Sequence, residues 1–176
     1  MRFIQLSLIS VLTVLMVSGC SSQSHPNYSA LKNVPKSQMD ALKSAIKKSG
    51  LKNLELPTKV PFPLQDARIA HGENLNHNID IFMGGGKQLE ALEESAASVD
   101  ANATLASVSG VICNTKLADG TKAYFSNNGS VTQLLWIKNG IFYDIPSSRA
   151  GANLAESKPD LSKSQLSGIA NSFGYS

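Results

Sequence analysis

The dipeptide Asn139-Gly140 constrains the fold of this chain more than any other feature, because apolar runs flank it at residues 131–137 and 141–145. Asn-Gly between two such runs is the strongest short-range signal for a β-hairpin with a type I′ turn. This turn would pair Trp136 with Tyr143 and leave apolar side chains on both faces of the hairpin. We therefore expect the hairpin to be central in a sheet or covered on both faces.

Helix signals lie towards both ends of the chain. Ser37 can cap a first helix over residues 37–49, and Gly50 can end that helix in a left-handed conformation. Near the C-terminus, Ser162 and Gln165 form a capping box that precedes a second amphipathic stripe. These signals predict an N-terminal and a C-terminal helix, each with one apolar face to bury.

The region between the two helices contains mainly strand and turn signals. Residues 66–71, 78–83 and 108–117 are predicted strands, and 99–107 has the composition of a loop. Residues 87–98 fit a helical stripe or a strand, and the pattern does not separate the two. The fold class predicted is α+β, with an antiparallel sheet of about six strands and both helices packed on one of its faces.

The N-terminal residues have the pattern of a secretory signal that ends at a lipobox, Val17-Ser18-Gly19-Cys20. Arg2 supplies the positive charge, and the apolar segment at 3–17 is shorter than the roughly 20 residues that span a bilayer. In bacterial lipoproteins, which this signal resembles, the cysteine thiol receives diacylglycerol before cleavage. An ordinary signal peptide with a chance cysteine and a short membrane anchor are the alternatives.

Cleavage before Cys20 would divide the chain into a signal peptide at 1–19, a flexible tether at 20–36 and one globular domain at 37–176. Diacylated Cys20 would hold the domain at the extracytoplasmic face of the cell membrane, with membrane lipid as its partner. The lipidation site is therefore Cys20.

The charge of the chain argues against nucleic acid as a partner. Removing Arg2 from the 16 Lys and Arg residues leaves 15 basic against 13 acidic residues in the mature chain. Nucleic-acid-binding domains instead carry a clustered basic face. With Cys20 lipidated, Cys113 is the one remaining cysteine, and its apolar neighbours predict a buried residue in a strand.

Several short motifs contain residue types found at chemical sites, and none has the required spacing. Gly84-Gly85-Gly86-Lys87 lacks the first glycine and the Ser or Thr of a phosphate loop, so a tight turn is the interpretation. His71, Glu73 and His77 make a weak metal candidate without the spacing of a zinc helix. Further carboxylates, at Glu90, Glu93 and Glu94, are interpreted as a solvated edge. The sequence therefore predicts no catalytic residue, no metal site and no cofactor.

The aromatic pair Trp136 and Tyr143 has two interpretations. Large aromatic side chains most often belong to the core, where they bury much apolar surface. The alternative is an exposed platform that binds a peptide, a glycan or a lipid, with Trp136 and Tyr143 as the ligand-binding residues.

Three stretches carry a resemblance to a known family: Leu56-Pro57 with Val60-Pro61-Phe62, the hairpin residues 133–145, and the helical residues 161–173. They resemble an uncharacterised domain family of Bacillus-type lipoproteins and membrane-anchored sporulation or anti-sigma proteins. The shared hairpin pattern is Trp-x-x-x-Gly-x-x-Tyr, here at Trp136, Gly140 and Tyr143. The resemblance covers roughly residues 36–173.

The resemblance implies a curved antiparallel half-barrel, distantly like that of the outer-membrane lipoprotein carrier. It also favours a strand at residues 88–95. No catalytic residues are known for such domains, so the resemblance implies none in this chain.

Two functions of different classes follow. The first is a non-enzymatic binding or sensing module at the cell envelope, which would hold a lipid, a peptide or a protein partner against the curved sheet. The second is a cell-envelope hydrolase with a site assembled from scattered residues, which would need His71 or His77 in a polar cleft beside an acid or a serine.

Overall fold

The computed structural model describes residues 25–70, 77–85, 91–148 and 159–175. Nine strands are described, and seven of them form one antiparallel sheet in the order β2-β3-β4-β8-β7-β6-β5. The strands are β1 (Leu56–Pro57), β2 (Asp66–Ile69), β3 (Asn78–Gly84), β4 (Ala91–Ser98), β5 (Thr115–Lys116), β6 (Lys122–Asn127), β7 (Thr132–Lys138), β8 (Ile141–Ser147) and β9 (Phe173–Gly174). The remaining two, β1 and β9, pair with each other in a small second sheet.

The hairpin predicted at Asn139-Gly140 is confirmed. Both turn residues have positive φ, 53° at Asn139 and 76° at Gly140, which is the conformation that a type I′ turn requires. Lys138 pairs with Ile141 and Trp136 with Tyr143, as the two-residue turn predicts. The hairpin supplies β7 and β8, and β8 is the middle strand of the seven.

Three α-helices complete the fold: α1 (Lys36–Ser49), α2 (Leu105–Ser109) and α3 (Lys163–Ala170). The capping box of α3 forms as predicted, with Ser162 and Gln165 each bonded to the other's backbone. Gly50 ends α1 in the left-handed conformation, with φ 68°. The predicted cap at Ser37 is wrong, because α1 begins one residue earlier and Pro35 occupies the cap position without a side-chain bond.

The core lies between one face of the large sheet and the helices α1 and α3. Leu42 and Ile46 of α1 and Leu166 of α3 are buried in the same cluster as Trp136 of the sheet. This arrangement confirms the predicted α+β fold with an N-terminal and a C-terminal helix on one face. The large sheet has seven strands rather than about six.

The ambiguous segment 87–98 forms a strand where it is described, over Ala91–Ser98. It pairs with β3 on one side and with β8 on the other, and Leu92, Glu94 and Ala96 are buried on its core face. Ladder pairing on both sides outweighs the helix propensity of Leu, Glu and Ala. Residues 86–90, which include Gly86 and Lys87 of the predicted glycine turn, lie outside the described residues.

The predicted strand 108–117 is wrong over most of its length. Residues 105–109 form the short helix α2, residues 110–114 have no regular structure, and only Thr115–Lys116 is a strand. Thr104 caps α2 through a reciprocal bond pair with Ser107, and Gly110 ends it with φ 70°. These local bonds stabilise one helical turn in a stretch whose composition had suggested a loop and then a strand.

The tether predicted at 20–36 is too long at its C-terminal end. Pro26 forms an isolated bridge with Tyr175, and Leu31 and Val34 are buried against the core. Apolar side chains in an otherwise polar segment close the edge of the core here, so residues 26–34 are part of the domain. Residues before 25 lie outside the described residues.

Candidate binding groove

An apolar groove of about 1120 Å³ lies on the sheet face opposite the core. Its floor includes Ile137 of β7, the neighbour of core residue Trp136, because adjacent strand residues face opposite ways. Leu105 and Ala106 of α2 and the segment 111–114 form the wall. The volume is slightly above the range of about 300–1,000 Å³ that is usual for small-molecule sites.

The wall is attached to the sheet by Asn114. Its side-chain amide donates to the carbonyl of Phe125 at 2.8 Å, and its side-chain oxygen accepts from the Phe125 N–H at 2.9 Å. The Asn114 N–H also donates to the Ala123 carbonyl at 3.1 Å. Asn114 thereby continues the β5–β6 pairing without being a strand residue. At the other end of the wall, Leu105 of α2 is only 4% exposed, and its burial holds the helix against the domain.

The wall of the groove includes an apolar side chain that is exposed to solvent. Among the described residues, the large hydrophobic side chains that are exposed are Val108, at 42%, and Ile112, at 81%. Ile112 lines the groove itself, and Val108 lies on α2, the helix that contributes Leu105 and Ala106 to the wall. Scattered exposed hydrophobics are ordinary, but apolar side chains gathered beside an apolar groove indicate a binding surface.

The charged side chains that line the groove are both lysines, Lys116 and Lys122. They are direct cross-strand partners in the β5–β6 pair. Both are exposed and point away from the core, since their neighbours Leu117 and Ala123 are buried on the other side. The groove is therefore an apolar channel with a positive margin.

A polar cluster holds the hairpin turn at one end of the groove. Asn139 lines the groove, and its amide donates to Oε1 of Glu55 at 2.9 Å. Nζ of Lys138 lies 3.0 Å from Oε2 of Glu55 and 3.6 Å from Oδ2 of Asp119. Partial burial lowers the pKa of Lys138, but the two carboxylates raise it by more, so the net effect is a raised pKa. The cluster fixes the turn, and its two carboxylates, Glu55 and Asp119, are already paired with Asn139 and Lys138.

The structure places Trp136 and Tyr143 in the core. Their side chains are 0% and 1% exposed, and their rings stack with centroids 5.0 Å apart. Phe173 packs edge-on against both rings. The core interpretation is therefore confirmed, and an exposed platform made of this pair is wrong. Burial raises the pKa of the Tyr143 hydroxyl, which accepts a hydrogen bond from the Glu55 N–H at 2.9 Å.

Cys113 is not a buried strand residue. It lies in the irregular segment 110–114, is half-buried and lines the groove. The prediction failed because the apolar residues around Cys113 face the groove rather than the core. Cys113 is consequently a natural reporter of groove occupancy.

The carboxylates Glu93 and Glu94, both expected at a solvated edge, differ in burial. Glu93 is half-buried, whereas Glu94 is fully buried on the core face of β4. Within the described parts of the chain, neither side-chain oxygen of Glu94 has a hydrogen-bond partner, and burial raises its pKa well above the ordinary value. The solvated interpretation of Glu94 is therefore wrong. Glu90 lies outside the described residues.

His77 lies on an exposed turn before β3, with φ 67°. A small polar pocket beside it is lined by Ser98, Asn53 and Lys52 and has no carboxylate in its lining. His71, Glu73 and Cys20 lie outside the described residues. Across 25–70, 77–85, 91–148 and 159–175, no group of three or more His, Cys, Asp or Glu side chains is arranged to hold a metal ion.

None of the helices among the described residues is both long and apolar enough to cross a membrane. Comparison with protein-family models, with curated proteins and with solved structures finds no match to this chain.

Proposed function

We propose that this protein is a lipid-anchored binding module of the bacterial cell envelope that takes an acyl chain into the groove. The observation that carries the proposal is the groove itself, with Ile137 in its floor and apolar side chains such as Leu105 and Ile112 in its wall. The resemblance to lipoprotein domains of the Bacillus type points to the same class of protein and stays a prediction.

The groove suits an acyl chain better than a peptide. An extended peptide that adds to a sheet is held by backbone bonds to an exposed edge strand, with separate pockets for its side chains. The edge strand at the groove, β5, has only two residues. A hydrocarbon chain needs no backbone partner and gains about 0.8 kcal/mol for each methylene that it buries.

Anchoring through Cys20 would place the groove close to a source of acyl chains. Only five residues separate Cys20 from Pro26, which is bridged to Tyr175 at the edge of the domain. A chain extends at most about 3.6 Å per residue, so this edge would lie within about 20 Å of the lipid anchor. We infer that the domain works beside the bilayer.

Replacing Cys20 with alanine tests the anchor. We expect Cys20→Ala to release the protein from the membrane fraction, because no acyl chain would then hold it. The measurement is fractionation of cells that express the full chain, with Cys113→Ala as the matched control that should stay bound. Retention of Cys20→Ala in the membrane fraction would contradict a lipid anchor.

Filling the groove tests the ligand site. In full-length mature protein with Cys20→Ser, we expect methyl dodecanoate, a neutral acyl chain, to slow the reaction of Cys113 with a thiol reagent. Ala106→Trp should weaken this binding at least about tenfold, because its ring displaces two or more methylenes from the groove.

The matched control for the groove is Ala41→Trp, which places the same side chain on an exposed position of α1. This variant should bind as the parent protein does. If dodecanoate and its methyl ester both leave the reactivity of Cys113 unchanged, the proposed acyl site is wrong.

A further inference from the structure

The two lysines of the groove face each other across a strand pair. Lys116 and Lys122 are opposite residues of the antiparallel β5–β6 hairpin, so both side chains leave the same face of the sheet. Like charges at directly opposed positions repel and destabilise the pair. β5 has only two residues, so the two lysines make up one of its two cross-strand pairs.

The described residues provide no carboxylate for either lysine. Neither forms an ion pair within 4.0 Å among the residues described, and the groove lining has no acidic side chain. Asp119, in the loop of the same hairpin, is bound elsewhere. Its Oδ1 accepts from the Thr121 N–H at 2.9 Å, and its Oδ2 faces Lys138 at 3.6 Å.

Within the part of the chain that the structure describes, Lys116 and Lys122 are therefore two cations without a local counter-charge, at the margin of an apolar channel. An anion between them would relieve their repulsion and accept charge-assisted hydrogen bonds from both ammonium groups. A ligand whose apolar chain begins beside that anion would also fill the channel.

We propose that Lys116 and Lys122 clamp the anionic head group of a single-chain amphiphile whose acyl chain occupies the groove. The inference rests on the proposed acyl-binding function and adds its chemical selectivity. The shared head-group chemistry is a carboxylate or a phosphate ester on one hydrocarbon chain.

The test compares dodecanoate with methyl dodecanoate, which has the same chain without the charge. Both are added below their aggregation limits to full-length mature protein with Cys20→Ser, and protection of Cys113 gives the affinity. We expect dodecanoate to bind about tenfold more tightly at low salt, with the difference shrinking as ionic strength rises. Dodecyl phosphate should bind at least as tightly as dodecanoate, since its head group is a phosphate ester on the same hydrocarbon chain.

Two double variants separate the clamp from general positive charge. Lys116→Gln with Lys122→Gln should bring the ratio of the two affinities, dodecanoate over methyl dodecanoate, down to about one. Lys36→Gln with Lys47→Gln removes the same charge from exposed positions of α1 and should keep the preference. The clamp variant should also melt at no lower temperature than its parent, because it loses a repulsive pair.

The outcomes distinguish the two proposals. If dodecanoate and its ester bind equally, the clamp is wrong and the acyl groove stands. If neither binds, the groove proposal fails as well. If inorganic phosphate alone binds as tightly as dodecyl phosphate, the site selects a free anion and the amphiphile proposal is overturned. Loss of the preference in both double variants would also overturn the clamp, because net charge would then explain it.

Discussion

Replacing Glu94 with methionine is expected to raise the free energy of unfolding at neutral pH by about 1–3 kcal/mol, the usual cost of an unsatisfied buried polar group. Glu94 is 0% exposed on β4, between Leu92 and Ala96 of the core, and opposite Ile81 of β3. Among the described residues its carboxyl oxygens have no hydrogen-bond partner. Methionine has a similar length and adds apolar contacts without a charge to bury.

The increase in the free energy of unfolding that Glu94→Met produces should become larger as pH rises. Burial raises the pKa of Glu94 in the folded protein, so the folded state keeps a proton that the unfolded chain has already released. Where the unfolded state binds fewer protons, the free energy of unfolding falls as pH rises. The wild-type protein should therefore lose stability from the ordinary pKa of a glutamate up to the raised pKa, and Glu94→Met should not show this loss.

Urea unfolding at a series of pH values measures both effects, followed by fluorescence of Trp136, the single tryptophan. Glu94→Gln is the informative companion, because it removes the charge but keeps two polar atoms in the core. It should flatten the pH dependence and recover less stability than methionine. Asp40→Asn, at an exposed position of α1, should change neither quantity. A less stable Glu94→Met protein would show that the carboxyl makes a favourable contact instead.

Replacing Trp136 with alanine is expected to lower the free energy of unfolding by about 3–5 kcal/mol. The ring is fully buried, stacks on Tyr143 and meets Phe173 edge-on, so its removal leaves a cavity where three aromatic rings now pack. This loss is a large part of the 5–15 kcal/mol that is typical of a domain. Urea unfolding followed by circular dichroism measures it, and Trp136→Phe, which keeps one ring, should lose less.

Ile137 provides the matched control, because it is the next residue on β7 and faces the groove. Ile137→Ala should cost less stability than Trp136→Ala, since Ile137 is only half-buried and outside the core cluster. It should instead weaken the binding of methyl dodecanoate, because it removes part of the groove floor. Equal losses of stability in the two variants, with unchanged binding in Ile137→Ala, would contradict the assignment of the two faces.

The elements that could be predicted from the sequence are those with local causes. The type I′ turn at Asn139-Gly140 depends on two residues that tolerate positive φ, and its register follows from the loop length alone. The capping box at Ser162 and Gln165 and the left-handed stop at Gly50 likewise involve neighbours within four positions. Such features are present in the chain before it folds, so reading residue types in order is enough to find them.

The structure of residues 91–116 depended on distant partners. Residues 91–98 form a strand because β3 and β8 pair with both of their edges, which local helix propensity does not reveal. The signals for α2 were present, with Thr104 as a cap and Gly110 as a stop, but they compete with the strand pattern around Cys113. The groove itself arises only when this segment crosses the sheet face that the core leaves uncovered.

The sequence by itself determined the central hairpin, the two terminal helices with their buried stripes and the α+β class, because backbone conformation and period are encoded locally. Only the tertiary structure decided that Glu94 is buried, that Trp136 and Ile137 serve opposite faces, and that Lys116 and Lys122 border an apolar groove. The burial of a side chain and the distance between two side chains depend on contacts between distant parts of the chain. Those contacts exist only once the strands have paired.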